Sequence, residues 1–332
     1  MTFTQPYIIA EIASSHEGDP ALAHKLIQLA ANTGADAVKL QIFHRDSLIS
    51  KVHPKYASFG EIEIAPEQWR VLLETCKQLP IDTIVEVYDL QSLALAEQYG
   101  NAIAYKIPGS DLDSQALLRA AGATAKPLLL GTGGSTWPEI QAAVANIRRY
   151  TAAPIILMQG IQTYPTAIAD CELAMLERCK SLNCLLGYAD HVDAEQTEMT
   201  RVIPAMAMAA GAIVIEKHLT DDRARKGRDH YSALNPDEFA NFVTFLRATS
   251  KAIPDRAEQL SEAGNQYRNM MKKQAVAAKA LAVGDVVAAD CILFKRIGIP
   301  GLTESQIPAF VGKRLQTPVV VDQPLLAENF EA

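Results

Sequence analysis

No stretch of this 332-residue chain approaches the ~20 consecutive apolar residues that a membrane-crossing helix needs. The N-terminus, Met1-Thr2-Phe3-Thr4-Gln5-Pro6, lacks the basic-then-apolar order of an export signal. An excess of positive charge is absent too. The formal net charge is −7, so neither nucleic acid nor an anionic membrane is expected as a partner. An anionic small substrate then requires a local cationic pocket. Aromatic residues are scarce at 6%, which leaves Ala, Leu, Ile and Val to fill the core. The five cysteines (Cys76, Cys171, Cys179, Cys184, Cys291) form no C-x-x-C pair. Their odd number and dispersion suggest a reduced, cytoplasmic protein. Missing as well is a Gly-rich dinucleotide fingerprint after the first apolar run, where Ile12-Ala13-Ser14-Ser15-His16-Glu17-Gly18 stands instead. That weighs against an open doubly wound sheet.

What the chain does contain is a repeated alternation. Short apolar runs recur at Tyr7–Ala13, Ala37–Phe43, Thr83–Tyr88, Ala104–Pro108, Pro127–Gly131, Pro154–Gln159, Leu185–Tyr188 and Ile213–His218. Between them lie segments of helical spacing, including Pro20–Asn32, Pro66–Gln78, Trp137–Arg149, Ala194–Ala210 and Pro236–Lys251. Proline near several of these starts (Pro20, Pro66, Pro138, Pro236) sits where a missing N–H costs nothing. Eight strand–helix repeats predict an α/β fold, a (β/α)8 TIM barrel over residues 1–253. Residues 254–273 are polar and read as a linker or exposed helix. From 274 to 332, short β-like runs (Val286-Val287, Ile292–Phe294, Pro318–Val321) with turns at Gly284, Gly298 and Gly301 predict a small all-β domain.

The apolar runs end in polar residues. Glu11, Lys39 with Gln41, Glu86, Lys106, Thr132, Gln159, Asp190 with His191, and Glu216 with His218 stand at or near the predicted C-terminal strand tips. Active sites of barrel enzymes assemble on that face, and unpaired charges buried there are costly, so a shared site is expected. Two imidazoles at neighbouring tips, His191 and His218, suit a divalent metal with open coordination positions. Lys39 fits a charge clamp or a Schiff-base lysine; the histidine pair beside it favours metal chemistry.

At these residues the chain resembles the sialic acid synthase family, the metal-dependent synthases of nonulosonic acids. The matching stretches, in order, are Ala10-Glu11-Ile12, Ser15-His16-Glu17-Gly18-Asp19, Gly34–Gln41, Tyr105-Lys106-Ile107, Gly131-Thr132-Gly133, Tyr164-Pro165-Thr166, Asp190-His191, Glu216–Thr220 and Asp229-His230. The tail is similar to that family's SAF (antifreeze-like) domain, with Lys295-Arg296-Ile297-Gly298 where K-R-P-G is frequent. The resemblance implies condensation of phosphoenolpyruvate with an N-acyl hexosamine aldehyde. It implies Mn²⁺ (or Mg²⁺) on His191 and His218, charge compensation by Lys39 and Lys106, and hydroxyl binding or proton transfer by Glu11 and Glu216. Gln41, Ser110, Thr132, Gln162, Tyr164, Asp190 and Asp229 would orient substrates. Arg296 would come from the partner's small domain in a domain-swapped homodimer.

Several departures from the family fall on the site. A third-strand S-T-P-F-D becomes Val85-Glu86-Val87-Tyr88-Asp89, and small residues stand at Gly109, Gly131 and Ala189 where serines are expected. Each hydrogen bond lost to a charged group is worth roughly 1.5–3 kcal/mol, and a carboxylate facing a phosphate repels it. A metal-dependent aldolase or lyase using a non-phosphorylated keto acid is therefore an alternative expectation. A non-enzymatic sugar-binding paralogue is another.

Overall fold

A computed structural model describes residues 6–254 and 259–331. Its contacts divide the chain into two compact units, residues 1–254 and 255–332. In the first, eight parallel strands follow one another around a closed sheet: β1 (Tyr7–Glu11), β2 (Ala37–Ile42), β3 (Asp82–Val87), β4 (Ala104–Ile107), β5 (Leu128–Gly131), β6 (Ile155–Gln159), β7 (Leu185–Asp190) and β8 (Val214–Leu219). Closure is made by β1 pairing with β8, Glu11 beside His218. The predicted barrel is present, with strand ends shifted by a residue or two. A short ninth strand, β9 (Ala233–Leu234), pairs in parallel with the end of β8 and was not apparent in the sequence.

Helix starts follow local chemistry. Asp19 caps the helix Pro20–Asn32 by accepting from the Ala21 N–H, and Pro20 fills its first turn. Thr136 with Glu139, and Asn235 with Glu238, form capping boxes on Trp137–Ile147 and Pro236–Ser250. The helix expected from Ala194 begins only at Met199. No helix among the described residues is long and apolar enough to cross a membrane.

Two apolar layers result from strand alternation. One row of side chains packs outward against the helices, with Ile8, Val38, Val85, Tyr105, Leu130, Leu157, Tyr188 and Ile215 among them. The other row fills the barrel interior with Ile9, Ala37, Ile84, Ala104, Leu129, Ile156 and Val214. That inner plug closes the cylinder below its C-terminal mouth, as in other filled barrels.

The second unit has its own core of Ala275, Ala277, Leu281, Val287, Leu315, Val319, Leu325 and Phe330. Its antiparallel pair is β10 (Lys273–Ala277) with β11 (Ile292–Arg296). The predicted strands at Val286-Val287 and Pro318–Val321 reduce to isolated bridges, Val286 with Arg314 and Val319 with Leu281. Val320 and Val321 are exposed, so the run had no two-sided core to fill. The polar stretch before β10 includes a helix, Glu262–Met271.

Candidate active site

Two residues beyond the interior plug, the same inward parity carries charge. Ile9, Ala37, Ile84, Ala104 and Val214 are followed at that spacing by Glu11, Lys39, Glu86, Lys106 and Glu216, all essentially solvent-free. On β5, β6 and β7 the equivalent positions are Gly131, Met158 and Ala189. The floor of the mouth is therefore charged on one side, and small or apolar on the other.

On the charged side the groups satisfy one another. The Lys39 Nζ lies 2.7 Å from Glu216 Oε1 and 2.9 Å from Glu86 Oε2, and it also contacts Glu11. The Lys106 Nζ lies 2.7 and 3.0 Å from the two Glu216 oxygens, and 3.9 Å from Glu86 Oε2. Gln41 donates to the same Glu86 oxygen at 3.2 Å. Strand register makes this possible, since Gln41, Glu86 and Lys106 are lateral neighbours across β2, β3 and β4. Burial opposes every charge here. The Lys106 ammonium nevertheless titrates above its ordinary range, because Glu216 and Glu86 outweigh desolvation. Glu216 is held well below the usual carboxylate range against burial by Lys106 and Lys39. Burial pulls the Lys39 ammonium down despite its carboxylates.

His191 and His218 stand above this layer. Their ring centroids are 5.2 Å apart, and the Tyr164 ring meets them edge-on at 5.0 and 5.4 Å. The His191 backbone carbonyl is pinned by Ser232 Oγ at 2.6 Å and by the Thr166 N–H at 2.8 Å. Burial pushes the His191 imidazole down to about 3, and His218 well below its ordinary value. Both Nδ1 atoms are buried without a hydrogen-bond partner. Neutral imidazoles with orphaned nitrogens fit a divalent cation. No group of three or more His, Cys, Asp or Glu suited to a metal occurs among the described residues. Two imidazoles alone would leave open positions on such a cation.

Other residues singled out in the sequence lie elsewhere. Asp190 shares parity with Tyr188 of the outer layer, and its carboxylate is 2.6 Å from Lys217, which also donates to the Val192 carbonyl at 3.0 Å. Thr132 donates to Gln159 Oε1 at 2.7 Å, and both continue the outward parity of Leu130 and Leu157. The polar strand tips thus fall into two sets, one inside and one outside the sheet. Ser110 is exposed and donates to its neighbour Asp111 at 2.8 Å. Gln162 is exposed. Asp229 accepts from the Ser14 N–H at 3.3 Å, joining the loops after β1 and β8. Arg296 ends β11 in the second unit, paired across the ladder with Lys273.

Lys217 had no role in the sequence reading. Its signal was a charge between two floor residues, at a position that register places directly beside Asp190. The glycines carry a packing reason. A Cβ at Gly109 would fall 2.5 Å from the Gly133 carbonyl oxygen, and one at Gly131 would fall 2.8 Å from the Gly109 nitrogen. The serines expected there have no room on this backbone.

Comparison with known proteins agrees with this architecture. The NeuB family model matches residues 26–258, and the SAF domain model matches residues 273–331. An uncharacterised protein of Methanocaldococcus jannaschii is 32% identical over 88% of this chain and 85% of its own. The N,N'-diacetyllegionaminic acid synthase of Legionella pneumophila is 27% identical over 98% of this chain and 95% of its own. Among solved structures, the N-acetylneuraminic acid (sialic acid) synthetase of Leptospira borgpetersenii, in complex with citrate, superposes with a TM-score of 0.74. It is 26% identical and covers 81% of this chain and 93% of its own. The chain thus belongs to the NeuB family, an enzyme of the transferase type that its synthase relatives represent, with a C-terminal SAF domain.

Proposed function

We propose that this chain forms a carbon–carbon bond between an enolpyruvyl donor and the aldehyde of an N-acyl hexosamine-type sugar, giving a nonulosonic-type acid. Phosphoenolpyruvate is the donor that kinship with the legionaminic and sialic acid synthases supports. The observation that carries the reading is the convergence of two ammonium groups and two neutral histidines, with orphaned nitrogens, at one end of the barrel.

Each residue has a task that its surroundings support. Lys39 and Lys106 meet the donor's negative charge as compact cations. Gln41 turns its amide toward the same point and orients the donor. Glu216 holds both ammonium groups in place, and Glu11 holds Lys39 from the β1 side. Both carboxylates are within reach of protons on bound hydroxyls. Tyr164 walls the histidine pair on one side. A divalent cation on His191 and His218, with manganese favoured by imidazole ligands, would polarise the acceptor carbonyl as a Lewis acid. Arg296 reaches an active site in this proposal as part of a second copy's small domain, in a cytoplasmic homodimer.

Incubation with phosphoenolpyruvate, Mn²⁺ and a panel of N-acyl hexosamines should release inorganic phosphate and yield an acid heavier than the sugar by one pyruvate unit. Absence of both with every sugar defeats the proposal. One observation favours a second reading, with a non-phosphorylated keto acid as donor. Glu86 already occupies the lysine pair, and Gly109 and Gly131 leave no room for added hydroxyls. Formation of the acid from pyruvate, with none from phosphoenolpyruvate, would establish it.

A further inference from the structure

We propose that Glu86 selects the donor by charge: its carboxylate stands in the anion locus formed by Lys39, Gln41 and Lys106, so that a donor's anionic group binds by taking its place and each further donor charge is disfavoured. The inference rests on reading this floor as the donor site.

Three observations support it. One Glu86 oxygen collects every cationic or amide donor that the floor offers on its side, with Lys39 at 2.9 Å, Gln41 at 3.2 Å and Lys106 at 3.9 Å. Its other oxygen, Oε1, is buried and without a hydrogen-bond partner. A buried carboxylate oxygen left unsatisfied is costly, so the native arrangement is not the best this locus can achieve. An incoming anion able to use the same donors more fully has something to gain.

The second observation is charge. Glu11, Glu86 and Glu216 face only Lys39 and Lys106 within the layer, so three carboxylates meet two ammonium groups. Lys217 does not redress this, since it faces the outer layer and is taken by Asp190. A monoanionic donor exchanges for Glu86 one for one. A phosphorylated donor brings a phosphate besides its carboxylate, and like charges at short range repel strongly where water is excluded.

The third is space. On the β5–β7 side the floor carries Gly131, Met158 and Ala189, with no side-chain donor for a phosphate. The packing of Gly109 against the Gly133 carbonyl closes that side to added hydroxyls. An anion entering the mouth is therefore met chiefly by the lysine pair, where Glu86 already stands.

Calorimetric titration of the full chain, with and without Mn²⁺, tests this using phosphoenolpyruvate, pyruvate and inorganic phosphate as probes. Glu86→Gln should tighten phosphoenolpyruvate at least about tenfold, a change of roughly 1.4 kcal/mol. Inorganic phosphate should follow it, while pyruvate, which displaces Glu86 with a single charge, should tighten clearly less than phosphoenolpyruvate does. Glu86→Thr, a smaller neutral side chain, should give the same order and guards against loss of the first variant to misfolding. Unchanged phosphoenolpyruvate affinity, or equal tightening of both donors, overturns selection by charge and leaves the donor site standing. Failure of both donors to bind wild type and variants alike removes the donor-site reading, and the proposal with it.

Discussion

The two faces of β7 and β8 handle buried charge in opposite ways. Outward, Asp190 and Lys217 form a one-to-one pair at 2.6 Å, with Val192 accepting one further hydrogen bond. Inward, Glu216 is shared between two lysines, Lys39 is shared among three glutamates, and two histidines keep unpartnered nitrogens. A pair matched one to one is a structural element, although Asp190 Oδ1 is itself buried without a hydrogen-bond partner. The inner cluster differs in stoichiometry, with three carboxylates on two ammonium groups beneath two unpartnered imidazoles. The residues are consecutive in sequence, so the difference arises from strand alternation alone.

Breaking the outer pair should show up in stability. Asp190→Ala leaves the Lys217 ammonium buried without its partner, a change that typically costs 3–5 kcal/mol. Urea denaturation should register a loss of about that size. Activity per folded molecule should stay within about threefold of wild type, since the pair faces away from the floor. A collapse of activity in a fully folded variant would place Asp190 back among the substrate-binding groups.

Breaking the inner set should do the reverse. His218→Gln removes one of the two imidazoles while keeping a polar side chain of similar reach. Turnover should fall at least about a hundredfold, near 2.7 kcal/mol of barrel-mouth chemistry. Mn²⁺ binding followed by calorimetry should weaken in parallel. The unfolding midpoint of the metal-free protein should barely move. If metal binding persists undiminished, the histidine pair is not the cation site.

The same contrast explains how far the sequence could be read. The barrel was legible because parallel strands are buried on both faces and read as apolar runs bounded by Pro and Gly. That property also concealed which tips point inward. With both faces apolar there is no alternation to count, and Asp190, Thr132 and Gln159 looked the same as Glu216. Register resolves the two sets, and register comes from closure of the sheet, Glu11 beside His218 and Asp190 beside Lys217. Glu86 was visible as a carboxylate in a place expected to take a phosphate, but its grip on Lys39 and Gln41 required the neighbouring strands. In the small unit, β10 (Lys-Gln-Ala-Val-Ala) escaped notice because only Val276 is a strong strand former. The valines of Pro318–Val321 suggested a strand where only one bridge exists.

A buried histidine outside the charged floor gives stability a pH dependence of its own. His16 is buried, accepts from the Gly18 N–H at 3.0 Å and meets Trp69 edge-on. Burial pushes its imidazole down to about 4. The folded value lies below the unfolded one near 6.5, so the unfolded chain binds more protons between these limits. Stability from this group is therefore complete above about pH 6.5 and declines as pH falls toward 4. Between pH 7 and pH 5 the loss is about 2 kcal/mol, at 1.36 kcal/mol for each pH unit below 6.5. His16→Asn should flatten the denaturation profile by that amount over the same range. Equal slopes in both proteins would show that His16 is already protonated when folded.

The smallest effect belongs to the outer hydroxyl. Thr132→Val keeps the shape of the side chain and removes the donor to Gln159 Oε1, now 2.7 Å away. Both residues are buried, so the glutamine oxygen is left without that partner, at a cost of about 1–3 kcal/mol. Thermal unfolding should drop by a few degrees, and the affinity for either donor should not change. Weakened binding of phosphoenolpyruvate alone would reverse this assignment. It would mean that Thr132 turns inward when a phosphate is present, and that the β5 side of the floor takes part in donor recognition after all.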